Sequence, residues 1–294
     1  CLDNSRYTMN TILRNVVGVC LGLSFISSAQ SDILEISYTT LAVPGADQTY
    51  AYGIDGGNIV GSYLAGSTYG FSYNGSTYTT VDVPGATWTR PYDIDGGNIV
   101  GRYNDGSHGF RYDGSIYTTL NVPGAYDTYA YGIDGDNIVG AYYYGSNHGF
   151  RYDGSSFITL AVPGADDTYA YGIDGSNIVG TYYDSSGNSH GFRYDGTAYT
   201  TLDVDIEGIA VDQTYVYGID GSNIVGTYYD SSGNYHGFRY DGTTYTTLDV
   251  PGASNTFAYG IDDGNIVGRY YDGSGNSHGF RATLGGGTAV PLPA

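Results

Sequence analysis

Five histidines at regular intervals are the first residues of this sequence that could do chemistry, because histidine is a common acid–base catalyst and metal ligand near neutral pH. Each begins a His-Gly-Phe triplet, and they are His108, His148, His190, His236 and His278. An arginine stands three positions after each one, at Arg111, Arg151, Arg193, Arg239 and Arg281. Because every copy occupies the same place in a repeated unit, the histidines are held apart and cannot converge on one substrate. We therefore expect each histidine to hydrogen-bond within its own unit, to the aspartate of a Gly-Ile-Asp motif, and each arginine to pair with a repeated aspartate.

Other catalytic motifs give no support for an enzyme. The two Gly-x-Ser-x-Gly strings, at residues 187–191 and 275–279, lie at turns between predicted strands rather than in an elbow between a strand and a helix, and the sequence has no phosphate-binding loop and no zinc-ligand spacing. Glutamate occurs only at Glu35 and Glu207, so the carboxylate pair of a glycosidase would have to come from aspartates. We predict a protein that is not an enzyme, with a hydrolase that has its site on the axis of the fold as an alternative.

Three oxygen-rich turns raise the question of calcium. The weak candidate ligands are Asp184, Asn188, Asp230, Asn234, Asp272 and Asn276. These turns lack the spaced carboxylates of an EF-hand loop, and as hairpin turns they need no ion. We predict no cofactor and keep calcium as an alternative.

These residues recur because the chain repeats one unit of four short strands. In the copy at residues 167–204, the predicted strands are 169–174, 177–183, 190–195 and 199–204. Asp-Gly and Gly-Ser pairs separate them, and such pairs favour hairpins because glycine adopts positive φ at little cost. The strands are rich in Tyr, Thr, Ile and Val, which suit a pleated sheet.

An Ile-Val-Gly marker shows that the unit occurs six times. Its copies begin at Ile59, Ile99, Ile138, Ile178, Ile224 and Ile266. About forty residues with four antiparallel strands is the size of one propeller blade. The sequence therefore predicts an all-β, six-bladed β-propeller of four-stranded antiparallel blades, and an open solenoid is the alternative.

The outer strand, Tyr-Thr-Thr-Leu, begins one copy too early. Its first copy, at residues 37–43, precedes the first Gly-Ile-Asp strand, and no good outer strand follows the last His-Gly-Phe. An unpaired edge invites aggregation, so we expect residues 33–43 to pair with residues 279–283 and close the ring. The protein is then a monomer. The same strand could instead enter a neighbouring molecule and give head-to-tail chains, which would make the protein a structural subunit of a filament or array.

Departures from the repeat are the best guide to a ligand. The residues after each Pro-Gly-Ala vary, and these segments should lie on one face of the ring because each leads from an outer strand to the next inner strand. The fifth copy replaces Pro-Gly-Ala with an insertion at residues 205–210. We predict that this face binds a glycan or a protein through Trp88, Arg90, Asp47, Tyr126, Asp127, Asp166 and Asp167. The alternative is that these differences are drift without function.

Composition excludes some partners and indicates a compartment. The formal charge of −20 with no lysine argues against nucleic acid and anionic membranes. Residues 1–31 are interpreted as a leader, with a signal peptide from Met9, a basic Arg14 and a short apolar run at 16–26. The propeller is expected to span 32–284 and a Gly-rich spacer with a terminal motif 285–294. Both cysteines lie in the leader, so no disulfide is expected in the mature chain.

Two resemblances follow from these motifs. Gly-Ile-Asp, Ile-Val-Gly-x-Tyr, His-Gly-Phe-x-Tyr and Tyr-Thr-Thr-Leu-Asp-Val-Pro-Gly-Ala, spread over Tyr38 to Arg281, resemble the extracellular HAF repeat family, with glycine in place of the middle alanine of its triplet. That resemblance implies a secreted bacterial protein and no particular activity. Val290-Pro291-Leu292-Pro293-Ala294 is similar to the VPLPA-type sorting signal of Gram-negative bacteria, which normally continues into an apolar helix and a basic tail. It implies sorting to the cell surface.

Overall fold

The structure is a computed structural model that describes residues 36–104 and 108–285, and these residues form 24 β-strands in six antiparallel sheets of four strands. The predicted leader and the VPLPA-type motif lie outside the described residues. In the part of the chain that is described, no helix is long and apolar enough to cross a membrane.

The first strand of the chain, β1 (Ile36–Leu41), belongs to the last blade. Blade 1 consists of β2 (Gln48–Asp55), β3 (Asn58–Ala65), β4 (Ser67–Tyr73) and β5 (Tyr78–Thr80). Blade 2 consists of β6 (Thr89–Asp95), β7 (Asn98–Tyr103), β8 (His108–Tyr112) and β9 (Tyr117–Leu120). Blade 3 consists of β10 (Asp127–Asp134), β11 (Asn137–Tyr144), β12 (Ser146–Tyr152) and β13 (Phe157–Leu160).

The second half of the ring repeats the same order of strands. Blade 4 consists of β14 (Asp167–Asp174), β15 (Asn177–Tyr183), β16 (Ser189–Tyr194) and β17 (Tyr199–Leu202). Blade 5 consists of β18 (Val211–Asp220), β19 (Asn223–Asp230), β20 (Tyr235–Tyr240) and β21 (Tyr245–Leu248). Blade 6 consists of β22 (Asn255–Asp262), β23 (Asn265–Tyr271), β24 (Ser277–Leu284) and β1.

The six inner strands contact one another in sequence, and β22 contacts β2, so the repeat forms a closed ring. The predicted six-bladed propeller is confirmed, and the solenoid alternative is wrong. In the last blade, β1 pairs antiparallel with β24, from Ile36 opposite Leu284 to Leu41 opposite Gly279. The predicted closure is therefore confirmed: the first strand of the chain supplies the outer strand that the sixth unit lacks.

The core lies between neighbouring blades and is built from the same repeat positions each time. In one such cluster, Val139 of blade 3 packs with Ile173 and Phe192 of blade 4, and all three are buried. The phenylalanine of the His-Gly-Phe triplet, or of Tyr-Gly-Phe in blade 1, has at most 1% of its surface exposed in every blade. Burial of such a side chain contributes about 1.5–3 kcal/mol to the stability of the fold. The glycine of Ile-Val-Gly is required here. A Cβ on Gly180 would lie 1.9 Å from the Tyr169 carbonyl oxygen and 2.8 Å from the Phe192 ring.

Hydrogen bonds to the carboxylates of the Gly-Ile-Asp series, in which blade 2 carries Asp93-Ile94-Asp95, join each blade to the next. The acceptors are Asp55, Asp95, Asp134, Asp174, Asp220 and Asp262, and each accepts the first backbone N–H of the β-turn in the following blade at 2.7–2.9 Å. The series includes the step from blade 6 back to blade 1. These bonds therefore form a complete circle at one end of the inner strands.

Candidate functional site

The opposite end of the ring is the Pro-Gly-Ala face, where the outer strand of each blade leads into the inner strand of the next. Its Pro-Gly-Ala turns are at residues 44–46, 84–86, 123–125, 163–165 and 251–253. In the fifth connection the insertion preserves the same turn, because Ile209 N–H donates to the Ile206 carbonyl at 3.0 Å as Ala46 N–H does to Val43 at 3.1 Å. A buried threonine fixes every connection, as Thr49 does by accepting the Val43 N–H at 3.1 Å.

The histidines bond within their blades, but the predicted partner is wrong. His236 Nδ1 lies 2.8 Å from Asp249 and its Nε2 lies 3.3 Å from Asp230, neither of which belongs to Gly-Ile-Asp. The Gly-Ile-Asp carboxylates are instead engaged by the neighbouring blade. Burial acts to lower the pKa of His236, but the hydrogen bonds to Asp249 and Asp230 outweigh it and raise the pKa.

The repeated arginines have neutral partners rather than the predicted aspartates. Arg193 donates from Nε and Nη2 to the Asn177 side-chain oxygen at 3.1 and 2.8 Å, and the same pair recurs in blades 2, 3, 5 and 6. Among the described residues only Arg111 adds an ion pair, with Asp136 at 3.3 Å. The prediction of a repeated ion pair is therefore wrong. An amide acceptor satisfies the guanidinium without the desolvation of a second charge.

The three oxygen-rich turns satisfy their own carboxylates. Asp184 accepts backbone N–H groups from Ser186 at 2.8 Å and Asn188 at 2.9 Å, and Asp230 and Asp272 do the same in the turns that contain Asn234 and Asn276. These bonds lower the pKa of Asp184 to about 2, with Asn188 contributing most. Within the described residues no group of three or more His, Cys, Asp or Glu side chains is placed to hold a metal ion. Calcium stays an untested alternative.

Of the predicted ligand-binding residues, the structure brings Trp88 and Arg90 together. The Arg90 guanidinium lies 5.6 Å from the centroid of the Trp88 ring. The other five lie in connections away from Trp88. Asp47 and Asp166 are exposed, and Asp127 begins β10. Asp167 accepts the Asn147 N–H at 2.6 Å, and Tyr126 is 74% exposed beside Tyr143 and Tyr144. They do not form one site.

A second arginine joins this pair and completes the Trp88 cluster, which we define as Trp88, Arg90, Arg102 and Tyr129. Arg102 lies 5.4 Å from the Trp88 ring and 4.9 Å from the Tyr129 ring of blade 3. Sequence reasoning missed Arg102, although a signal was present. Arg102 occupies the variable position of Ile-Val-Gly-x-Tyr, where the other blades carry Ser62, Ala141, Thr181, Thr227 and Arg269.

Arg269, the other exception at that position, borders a pocket between blades 5 and 6. We define the Arg269 pocket by its lining side chains Tyr215, Tyr235, Asn255, Phe257, Arg269 and Tyr271, and its volume is about 520 Å³. The Arg269 guanidinium lies 4.5 Å from the Phe257 ring and 5.3 Å from each of the Tyr50 and Tyr271 rings. This pocket also escaped prediction.

Arg90, Arg102 and Arg269 share an unusual state. The Nε atom of each is buried and has no hydrogen-bond partner within the described residues. Burial acts to lower the pKa of Arg102 and of Arg269, but the surrounding tyrosines raise both pKa values, so the guanidiniums stay charged. The three cations all interact electrostatically with Tyr52. They therefore concentrate positive charge on the Pro-Gly-Ala face of an acidic protein.

A ring of six tyrosines narrows the axis of the propeller. Its members are Tyr52, Tyr92, Tyr131, Tyr171, Tyr217 and Tyr259, and neighbouring ring centroids are 4.8–5.3 Å apart. An axial cavity of about 170 Å³ lies between these rings and the Gly-Ile-Asp carboxylates.

Asp93 is the residue that distinguishes this cavity, because the other blades carry glycine at its position. Its Oδ2 accepts the Ile133 N–H at 3.0 Å. A Cβ on Gly53 would lie 2.6 Å from the Asp93 Cα and carboxylate, so the side chain fits only against a glycine. Burial raises the pKa of Asp93 to about 7.

The fold and this face define the protein as a six-bladed β-propeller with an arginine- and aromatic-rich face. No protein-family model and no curated protein matches the chain. Solved propellers do. The β-propeller domain of the Trilobed protease from Pyrococcus furiosus is 11% identical over 84% of this chain and 86% of that one, with a TM-score of 0.54. The six-bladed, fucose-recognising Aleuria aurantia lectin is 15% identical over 87% and 99%, with a TM-score of 0.51. TolB from Agrobacterium tumefaciens is 14% identical over 85% and 98%, also with a TM-score of 0.51. These likenesses establish the fold.

Proposed function

We propose that this chain is a secreted or cell-surface module that binds an extracellular glycan on its Pro-Gly-Ala face without catalysing a reaction. The observation that carries the proposal is that Trp88, Arg90 and Arg102, all departures from the repeat, meet in one cluster. A half-buried tryptophan beside two guanidiniums whose Nε atoms have no hydrogen-bond partner among the described residues offers a stacking surface and terminal hydrogen-bond donors, which suit a sugar ring with its hydroxyls.

The likeness to the Aleuria aurantia lectin is compatible with this proposal, since that protein recognises fucose on a ring of the same architecture. It does not identify the sugar bound here. A protein ligand is the alternative, and the same face would serve it.

Substitutions that restore the residues of other blades test the site with little risk to the fold. Trp88→Gln introduces the residue found at Gln48 and Gln213, and Arg90→Tyr the residue found at Tyr50 and Tyr129. Glycan and peptide arrays probed with wild type and each variant are expected to show loss of the same glycan signals. The matched control is Tyr126→Asp, which restores the residue of Asp47 and Asp166 on the same face and should bind as wild type does. Identical profiles for all four proteins would reject the site, and signals on peptides alone would favour a protein ligand.

Asp93 favours a second candidate function, that of a hydrolase with an axial site. It is the one axial carboxylate outside the Gly-Ile-Asp series among the described residues, and a pKa raised to about 7 by burial suits a general acid. A panel of glycosidic and ester substrates tests this function. Turnover that is lost on Asp93→Gly, with binding at the Trp88 cluster unchanged, would establish it and contradict the non-catalytic proposal.

The extracellular location is inferred from the leader and the VPLPA-type motif. Expression in a Gram-negative host, followed by N-terminal sequencing of the released protein, is expected to give a chain that begins at Asp32. A protein that stays in the cytoplasm with residues 9–31 attached would contradict secretion.

A further inference from the structure

The Arg269 pocket combines departures from the repeat that come from two different blades. Tyr235 stands where blades 4 and 6 carry Ser189 and Ser277, and Phe257 stands where the other blades carry tyrosine or arginine. Tyr235 packs on Phe257 with ring centroids 5.1 Å apart, and it interacts electrostatically with Arg269. Two aromatic residues that are particular to this junction therefore line the same pocket as Arg269, whose repeat position is also an arginine in blade 2.

The aromatic rings hold the guanidinium but leave its hydrogen-bonding capacity unused. Arg269 lies against Phe257, Tyr50 and Tyr271, which position a planar cation through its faces. No carboxylate lines the pocket, and within the described residues Arg269 forms no ion pair. The Nε atom is buried, so the two terminal Nη groups are the donors that would meet a carboxylate or another oxyanion in two parallel hydrogen bonds.

The negative charge of the whole protein does not prevent an anion from binding here. Screening limits the reach of exposed charges to about 8 Å at physiological ionic strength. Two exposed turns adjoin the lining residues, because Gly233 belongs to the turn of Asp230 and Asp272 directly follows Tyr271. Both carboxylates already accept hydrogen bonds from their own turns and contact His236 and His278. Among the described residues, Arg269 is the one charged side chain that lines the pocket.

We infer that the Arg269 pocket binds a sugar that carries an oxyanion, as a uronate carboxylate or a sulfate ester, within an acidic polysaccharide. The oxyanion pairs with Arg269 and the ring of the sugar packs on Tyr235 and Phe257. The inference rests on the proposed function, since it names the class of glycan that this face takes. The volume of about 520 Å³ accommodates more than one sugar ring.

Calorimetric titration with two pairs of probes tests this inference. The first pair is an oligogalacturonate and the same oligosaccharide with its carboxyls reduced to alcohols, and the second is a sulfated galactan oligosaccharide and its desulfated form. Wild type is expected to bind one of the anionic probes at least about tenfold more tightly than its neutral counterpart, because a charged bidentate pair is worth that much. A preference for the oligogalacturonate over its reduced form indicates a carboxylate, and a preference for the sulfated galactan over its desulfated form indicates a sulfate.

Variants that restore repeat residues assign the preference to this pocket. Arg269→Thr, which introduces the residue of Thr181 and Thr227, is expected to abolish it, and Tyr235→Ser should weaken binding of both members of a pair. Arg151→Ser, which introduces the residue of Ser72 at an arginine that lies outside both the Trp88 cluster and the Arg269 pocket, is the matched control that keeps the preference. Unchanged melting temperatures establish that the variants are folded. If Arg269→Thr does not fold, weaker binding in Tyr235→Ser tests whether the pocket holds the glycan.

The two proposals fail in different ways. Equal affinity for anionic and neutral probes, or a preference that survives Arg269→Thr, would overturn the inference while glycan binding through Trp88 stands. No binding of any glycan to the wild-type protein would overturn both.

Discussion

The Asp262 carboxylate accepts the backbone N–H of Gly56 at 2.8 Å, and this hydrogen bond joins the last blade of the ring to the first. The pairing of β1 with β24 is a second and independent connection across the same junction. Every other blade pairs its third and fourth strands in the same way but also joins them by a covalent hairpin, which the last blade lacks. The closure of the propeller therefore depends on noncovalent contacts at one place.

Deletion of residues 32–43 should open the ring at that place. The deletion removes β1, exposes the edge of β24 and leaves only the Asp262 contact and side-chain packing between blades 6 and 1. We expect aggregation or a large loss of stability, measured by light scattering after gel filtration and by thermal melting, with a protein that begins at Asp32 as control. Head-to-tail chains in the intact protein would reveal strand exchange. A deleted protein that stays monomeric and melts with the control would contradict this account of closure.

Asp93 should make the stability of the protein fall as the pH rises. Its folded pKa is raised by burial to about 7 from 3.8, so its contribution is fully present below the unfolded pKa and is lost as the pH passes through 7. Asp93→Gly restores the residue of the other blades and removes the pH-dependent contribution of the carboxyl to the free energy of unfolding. Urea unfolding at pH 4, 6 and 8 should show the advantage of the variant growing with pH. A constant difference over that range would show that the carboxyl titrates normally.

His236 should contribute stability only at low pH. Hydrogen bonds to Asp249 and Asp230 outweigh burial and raise its folded pKa above 6.5, so the contribution is present below 6.5 and disappears as the pH rises through the folded value. His236, Asp230 and Asp249 are partly exposed, which limits the stabilisation of the fold to about 1 kcal/mol or less. His236→Gln should therefore cost more at pH 5.5 than at pH 9. His148→Gln is the control, because His148 bonds to Ser146 rather than to a carboxylate, and an equal pH dependence in both variants would argue against the ion pairs.

The fold was predictable because its determinants are local and repeated. Turn pairs such as Asp174-Gly175 and the Ile-Val-Gly strand occur in every unit, and the early outer strand at residues 37–43 left one partner for the edge of the last blade. The partners of polar side chains were not predictable in the same way. Asp262 and Gly56 are 206 positions apart, and the contact depends on how far one blade turns against the next.

The candidate site was predictable only in part. Trp88 directly precedes β6 and Arg90 is its second residue, so their proximity follows from the sequence. Arg102 and Arg269 lie on second strands, and their position over the rings of Tyr129 and Tyr50 depends on the packing of neighbouring blades. To find such departures, every position of the repeat must be compared over all six blades, because a comparison of the segments after Pro-Gly-Ala alone misses Arg102 and Arg269.

Fluorescence of Trp88 gives the most direct test of glycan binding on this face, because Trp88 is the only tryptophan in the chain. A glycan selected on the array is titrated into the protein, with excitation at wavelengths that tyrosine does not absorb, while calorimetry follows binding in parallel. We expect a saturable change in Trp88 emission that gives the same Kd as calorimetry. In Arg90→Tyr the Kd should be about three- to tenfold weaker, because loss of one stacked cation in the cluster costs about 0.5–1.5 kcal/mol. Binding by calorimetry with no change in Trp88 emission would contradict the proposal that the Trp88 cluster holds the ligand.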